Sequence, residues 1–206
     1  MYTVRQLGRR WIAALAATVV VAACSSSDAS LIGYVPPDTK SVSSVTVTEI
    51  VDGAPRQWKM QADEGEILVV LFGFTNCPDI CPATLSNLKN AKSKLGDEAS
   101  RVDIAMVTVD PERDTAEILP RYLSSFTDKF HAVVPASPEE LAAAETAFEA
   151  SSTVTKVDGR VEVSHTGTAY GVDDTGTVVV EWPFGIDVPS LVNDLTLLLN
   201  KKESTQ

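Results

Sequence analysis

The chain has few positively charged residues, and this shortage excludes one class of partner. Its 206 residues include 17 Lys and Arg against 28 Asp and Glu, which gives a formal net charge of −11. No cluster of Lys or Arg follows residue 10. Because such a surface would repel a phosphate backbone, we expect no nucleic-acid partner. The length and the 44% hydrophobic content suit one domain with a sizeable core and leave no room for a second full domain.

Residues that bind soft metals or carry out redox chemistry are also scarce. The chain contains three Cys, two His and three Met, so it has no methionine-rich copper tract. Cys77 and Cys81 lie in the stretch FTNCPDICPATL (residues 74–85), and the third cysteine is Cys24. A cysteine pair four positions apart is compatible with a structural disulfide bond, a redox pair that turns over, or two ligands of a metal.

The first 24 residues have the pattern of an export signal. Three arginines precede an apolar run from Trp11 to Ala23, which is shorter than a transmembrane helix needs. The run ends in VAAC, which resembles the lipobox of bacterial lipoproteins and ends at Cys24. We therefore predict a signal peptide at residues 1–23, a lipid on Cys24, and anchoring at the extracytoplasmic face of the cell membrane. The alternatives are cleavage near Ala23 without lipidation, and an uncleaved anchor.

The rest of the chain divides into a linker, a domain and a tail. Residues 24–44 are rich in Ser, Pro and Asp and show no sustained periodicity, which predicts a flexible tether. We expect the domain at residues 45–200 and a polar tail at residues 201–206.

Within the domain, the hydrophobic pattern alternates between strands and helices. The pattern predicts a thioredoxin-like α/β sandwich with a mostly parallel central sheet, an added N-terminal β-hairpin, and a closing C-terminal hairpin plus helix. The predicted elements are a hairpin around Asp52-Gly53, a buried strand at Ile67–Phe74, a helix after the cysteines that stops at Gly96, a strand at Asp103–Val109, a helix from Asp114 to about Phe126 with a kink at Pro120, a strand at His131–Val134, a helix from Ser137, a single hairpin formed by residues 154–164 and 168–182, and a helix from Val188 to Leu199.

The cysteine pair lies where a buried strand passes into a helix, a common place for sites in α/β sheets. Pro82 suits the first position of a helix, which would make Cys81 the N-cap and put Cys77 in the preceding loop. We therefore expect the helix dipole to lower the pKa of both thiols. The three residues between the cysteines leave room for a metal. Two thiolates in an apolar setting suit Cu(I), whereas a closed zinc site would ask for four ligands.

Only two histidines are available as a further ligand. His131 begins an apolar strand, for which a structural role is the expectation. His165 lies at a bend of the predicted C-terminal hairpin, the region that faces the start of the first helix in thioredoxin-like sheets. From its position alone, a ligand and a loop residue without a role are both compatible with His165.

Three separated segments resemble the Sco/SenC family of copper-binding, thioredoxin-like proteins. They are LFGFTNCPDICPATL, VTVDPERDTAEIL, and His165 followed by Tyr170 and Asp174-x-Gly176, and the resemblance extends from about Val45 to Leu199. It implies that Cys77, Cys81 and His165 bind copper, as Cu(I) or Cu(II). Ser164 stands where the family commonly has Asp before the histidine.

The resemblance also implies a function in the assembly of cytochrome c oxidase. We expect a copper metallochaperone that receives copper from a donor and delivers it to the Cu(A) centre of the oxidase copper-site subunit, with no need to catalyse a reaction. The alternative is a thiol-disulfide oxidoreductase in which Cys77 and Cys81 reduce the cysteines of the oxidase site. Against that as the sole role, no Thr-Pro or Ile-Pro supplies the cis-proline loop found beside thioredoxin active sites. A peroxidase is a weaker option, and a structural disulfide across so short a loop would stabilise little.

Acidic residues near the cysteines have simpler interpretations. Asp110 and Pro111 are predicted to end a strand and Asp114 to cap a helix, so that the DPERDT segment shapes the domain near the site. Asp79 is predicted to be an exposed loop residue.

Overall fold

The computed structural model describes residues 30–203, with side chains to residue 201. This range does not include the predicted signal peptide at residues 1–23, the predicted lipid site Cys24, or residues 204–206. The described chain has ten strands: β1 Lys40–Ser41, β2 Thr46–Val51, β3 Ala54–Lys59, β4 Ile67–Gly73, β5 Val102–Thr108, β6 Phe130–Val133, β7 Ser152–Val157, β8 Arg160–His165, β9 Ala169–Val172 and β10 Thr177–Trp182.

The helices cover the faces of the sheet. They are α1 Ile80–Lys94, α2 Ile118–Leu123, α3 Pro138–Phe148 and α4 Val188–Glu203, with a 3-10 helix at Gly96–Arg101. Because α4 continues to Glu203, the predicted polar tail begins inside a helix. Across residues 30–203, no helix is long and apolar enough to cross a membrane.

Eight of the strands form one mixed sheet in the order β1-β10-β9-β4-β5-β6-β2-β3. The central strands β4, β5 and β6 are parallel, and every outer pairing is antiparallel. The predicted thioredoxin-like α/β class is confirmed, with parallel pairing confined to these three strands. Strands β4 and β5 are buried along their whole length, as their continuous apolar runs predict for strands covered on both faces.

Aromatic side chains link the centre of the sheet to α3. Phe148 packs edge-on against Phe72 of β4 and Tyr170 of β9, with ring centroids 5.7 and 5.1 Å apart. All three rings are almost fully buried. These aromatic contacts hold α3 against β4, the strand that leads into the cysteine loop.

The predicted N-terminal hairpin is present, whereas the C-terminal region contains two hairpins instead of one. Asp52 and Gly53 both have positive φ, 51° and 78°, as a tight two-residue β-turn requires. Strands β7 and β8 form a separate two-stranded sheet, and β9 with β10 closes the main sheet. The single hairpin predicted over residues 154–182 is therefore corrected: Asp158-Gly159 makes its own turn, with φ of 49° and 79°.

The segment before β1 lies on the domain, which differs from the expected flexible tether. The backbone N–H groups of Ile32 and Gly33 donate to the carboxylate of Asp194 at 2.7 and 2.8 Å. Tyr34 exchanges two backbone hydrogen bonds with Glu181. Contacts with the domain are therefore present before the predicted domain start at residue 45, and residues 24–29 of the predicted tether lie outside the described chain.

The helix predicted from Asp114 is shorter than expected. It spans Ile118–Leu123, with Glu117 at its N-cap. Pro120 is the third helical residue, where the backbone N–H has no partner within the helix, so the predicted kink at Pro120 is wrong. Asp114 does not cap this helix; its hydrogen bonds lie elsewhere.

His131 has the structural role that its sequence predicts. Its ring stacks on Trp58, with centroids 4.1 Å apart and planes inclined by 10°. Its Nδ1 lies 2.7 Å from Glu49 Oε1, and its Nε2 lies 3.3 Å from Asp103 Oδ2. Burial opposes the charged form, but the hydrogen bonds to Asp103 and Glu49 outweigh it and raise the pKa of His131 to about 9.

The pairing of His131 with Glu49 and Asp103 predicts that the folded state becomes less stable as the pH rises. Since the pKa of His131 is raised from 6.5 to about 9 on folding, its contribution is complete below pH 6.5 and lost as pH rises through 9. The loss should be on the order of 2–3 kcal/mol of unfolding free energy. Urea unfolding of the reduced, metal-free protein at a series of pH values measures it. The slope should flatten in His131→Gln and persist in His165→Gln; an unchanged slope in His131→Gln would contradict the assignment.

Candidate metal centre

The two cysteines flank the beginning of α1. Cys77 lies in the loop after β4, and Asp79 is the N-cap of the helix. Cys81 is therefore the second helical residue and Pro82 the third, each two positions further into the helix than predicted. Asp79 is exposed, as its sequence context predicts.

The sulfur of Cys81 lies deep and that of Cys77 lies nearer the surface. Cys81 is 1% exposed and Cys77 9% exposed, and both are free thiols. The backbone N–H of Cys81 donates to Cys77 Sγ at 3.3 Å, which orients the Cys77 sulfur toward the helix. A Cβ on Gly73 would lie 2.8 Å from Cys81 Sγ and 2.9 Å from Met106 Cε, so the Cys81 sulfur occupies space that only glycine leaves open.

The expected lowering of the pKa is wrong for Cys81. Burial raises the pKa of its thiol, and the hydrogen bond with Cys77 raises it further. Burying the Cys81 thiolate costs more free energy than the first turn of α1 contributes to stabilising it. A bound cation would supply the missing compensation, because a metal takes the place of the proton on the sulfur.

His165 is the last residue of β8 and faces the cysteines. Its Nε2 lies 3.5 Å from Cys81 Sγ, and its Nδ1 lies 2.9 Å from the backbone oxygen of Thr166. Because a carbonyl oxygen only accepts hydrogen bonds, Nδ1 carries the proton and donates it there. The Nε2 lone pair is then directed at the cysteine pair, which is the tautomer a metal ligand requires.

The structure brings together the three side chains predicted as ligands. The Sγ atoms of Cys77 and Cys81 and a ring nitrogen of His165 all lie within 4.8 Å of one another. Two soft sulfurs and one imidazole fit Cu(I), and the set lacks the fourth ligand of a closed zinc site. His131 does not belong to this group: it lies on β6, hydrogen-bonded to Glu49 and Asp103.

A buried carboxylate fixes the loop that carries Cys77. Asp114, which is fully buried, accepts hydrogen bonds from the backbone N–H of Thr75 at 2.9 Å and from the Thr75 hydroxyl. It also accepts one from the hydroxyl of Thr108 at 2.6 Å. Thr75 is two residues before Cys77, so Asp114 ties the cysteine loop to the end of β5. The sequence predicts Asp114 near the site but does not predict its two threonine partners: Thr75 is 39 positions away, and Thr108 belongs to the preceding strand.

The DPERDT segment also contacts the imidazole of His165 indirectly, through Phe74. The guanidinium of Arg113 lies over the ring of Phe74, 5.9 Å from its centroid, while its Nε donates to Asp110. Phe74 in turn meets the ring of His165 edge-on at 5.8 Å. The DPERDT segment therefore supports both the cysteine loop and the histidine, in agreement with the predicted shaping role.

Comparison with known proteins agrees with this geometry. The model of the SCO1/SenC family matches residues 48–200, most of the described chain. The chain belongs to the SCO1/SenC family. Among its relatives, an SCO2-like protein of Rickettsia prowazekii is 37% identical over 84 residues, which are 40% of each chain. A mitochondrial SCO1 homologue of Arabidopsis thaliana is 42% identical over 79 residues, 37% of this chain and 23% of the relative.

A solved copper-bound structure is similar in fold to most of this chain. The copper-bound crystal structure of Arabidopsis thaliana ScoI is 27% identical, with a TM-score of 0.65, and covers 76% of this chain and 97% of that one. The chain covers less than half of the length of these two relatives from Rickettsia prowazekii and Arabidopsis thaliana. The likeness in sequence to these two relatives therefore covers only part of them, whereas the likeness in fold to ScoI extends over nearly all of the solved chain.

The close packing at Gly73 makes a specific prediction. Gly73→Ala should displace the Cys81 sulfur and weaken Cu(I) binding by about tenfold or more, as altered ligand support does in other metal sites. Gly167→Ala is the matched control, because its Cβ would meet its neighbours only at 3.3 Å or more. Competition with a Cu(I) chelator measures the affinity, and thermal unfolding separates it from loss of fold. Equal affinities in the two variants would contradict the packing argument.

Proposed function

We propose that the protein is a copper metallochaperone that delivers copper to the Cu(A) centre of cytochrome c oxidase during assembly. The observation that carries this proposal is the meeting of Cys77, Cys81 and His165 in one small volume in a SCO1/SenC domain. The copper-bound state of the ScoI structure supports the choice of metal. The recipient is the copper-site subunit of the oxidase, and a separate donor supplies the copper.

The arrangement of the ligands suits transfer better than storage. Cys81 lies at the bottom of the site, whereas Cys77 and the partly buried His165 form its outer side. A three-ligand site leaves a coordination position open for an incoming thiolate or imidazole. The outer ligands would then leave the metal before Cys81 does, so that copper passes by ligand exchange.

The proposed place of action is the extracytoplasmic face of the cell membrane. The sequence before Cys24 supports export and lipidation, and Cys24 is separated from the described domain by five residues. A lipid-held donor would act close to a membrane-embedded recipient.

A specific observation also favours the alternative function, a thiol-disulfide oxidoreductase. Both thiols are free, and their sulfur atoms lie within 4.8 Å of each other, close enough to form a disulfide after a small movement. In that reaction the Cys77 thiolate attacks a disulfide of the recipient and releases one thiol. Cys81 then attacks the mixed disulfide, which leaves a Cys77–Cys81 disulfide and a second thiol on the recipient.

Anaerobic Cu(I) titration against a competing chelator tests the proposal. The reduced protein should bind one copper per chain, and Cys77→Ala, Cys81→Ala and His165→Ala should each lose at least about 100-fold in affinity, because loss of a ligand costs more than loss of a hydrogen-bond partner of a ligand. His131→Gln is the matched histidine control and should bind as the unsubstituted chain does.

Two outcomes would overturn the proposal. Unchanged affinity in His165→Ala would remove the imidazole from the site. Negligible copper affinity, together with rapid reduction of test disulfides by the metal-free protein, would establish the oxidoreductase in its place.

A further inference from the structure

Exposed apolar side chains are concentrated in one short stretch at the start of the described domain. Ile32, Tyr34 and Val35 are 57%, 58% and 51% exposed, and they are three of the six large apolar residues exposed within residues 30–201. We call these three residues the apolar patch. Scattered apolar residues on a surface need no explanation, but three within four positions indicate a contact surface.

The backbone under the apolar patch is held in place. Asp194, fully buried in α4, accepts hydrogen bonds from the N–H groups of Ile32 and Gly33 and from Trp182 Nε1 at 2.9 Å. Tyr34 is paired with Glu181 at the edge of the sheet. Gly33 faces inward, where a Cβ would clash with Val180 and Trp182. The side chains on either side of Gly33 therefore have to face outward.

A groove of about 940 Å³ continues from the patch toward the start of β4. Leu31, Val35, Pro36 and Pro37 line one part of it, and Ile67 and the end of α4 line another. The cysteine loop follows the last residue of β4, about 20 Å along the strand from Ile67. The groove and the metal centre therefore lie at opposite ends of β4.

The predicted lipid anchor at Cys24 lies only a short distance along the chain from the apolar patch. Six residue steps separate Cys24 from Ser30, and in any conformation they span at most about 20 Å. A domain of this size is about 40 Å across, as its expected radius of gyration of about 15 Å implies. A bilayer that holds Cys24 therefore stays within reach of the apolar patch, at a high effective concentration.

We propose that the apolar patch of Ile32, Tyr34 and Val35 lies against the lipid bilayer, beside the anchor at Cys24. The proposal rests on the lipid anchor named in the proposed function, and it does not depend on copper. An aromatic residue with a polar tip between two aliphatic ones is suited to the membrane interface. The groove is lined by acidic residues, among them Asp38 and Glu64, so the contact depends on apolar insertion and not on anionic lipid.

Fluorescence quenching by brominated lipid tests the contact. The mature lipoprotein carrying Tyr34→Trp is reconstituted, reduced and metal-free, in phosphatidylcholine vesicles with brominated acyl chains. Val154→Trp is the matched control, because Val154 is 42% exposed and lies on the separate two-stranded sheet of β7 and β8. After subtraction of the unsubstituted chain, quenching of Tyr34→Trp should be at least about twofold stronger, since interfacial residues enter the bilayer by about 5–10 Å.

The other outcomes overturn the proposal in different ways. Equal quenching of the two variants, or none in either, would show that the patch is not the face on the bilayer. Quenching that requires anionic lipid would replace apolar insertion by charge. Mass spectrometry of the N-terminal peptide is the separate arm: a peptide without lipid on Cys24 removes the anchor and this proposal with it, while the copper site and its titration stand unaffected.

Discussion

The metal centre depends on one buried carboxylate. Asp114 accepts hydrogen bonds from Thr75 and Thr108, and by doing so it joins the cysteine loop to the end of β5. A carboxylate removed from water is stable only when its oxygens are satisfied, so this arrangement is available in few conformations of the loop. The position of Cys77 follows from Thr75, and the depth of Cys81 follows from the bare backbone at Gly73.

A second buried aspartate, in α4, has a similar role for another segment of the chain. Asp194 holds the segment before β1 by accepting from two of its backbone N–H groups and from the indole of Trp182. Asp114 holds the cysteine loop in the same way, through Thr75 and Thr108. Asp114 therefore supports the metal-binding end of the domain, and Asp194 supports the segment that carries the apolar patch. This arrangement agrees with the proposed delivery of copper at a membrane.

Much of the core and the site could be predicted from the sequence, for physical reasons that differ. The apolar runs of β4 and β5 determine buried strands locally, and the spacing of Cys77 and Cys81 limits them to a loop and a helix start. The docking of residues 30–44 could not be predicted, because its partner Asp194 is more than 160 positions away. The raised pKa of Cys81 was missed for a similar reason: the helix dipole is local, whereas burial depends on the packing of the whole sheet.

The central claim is that Cys77, Cys81 and His165 bind one copper ion together, and X-ray absorption at the copper edge tests it most directly. The Cu(I)-loaded full-length protein should show two sulfur scatterers and one nitrogen scatterer per copper, and His165→Ala should lose the nitrogen while keeping both sulfurs. A spectrum that His165→Ala leaves unchanged, or a single sulfur in the unsubstituted protein, would contradict the account.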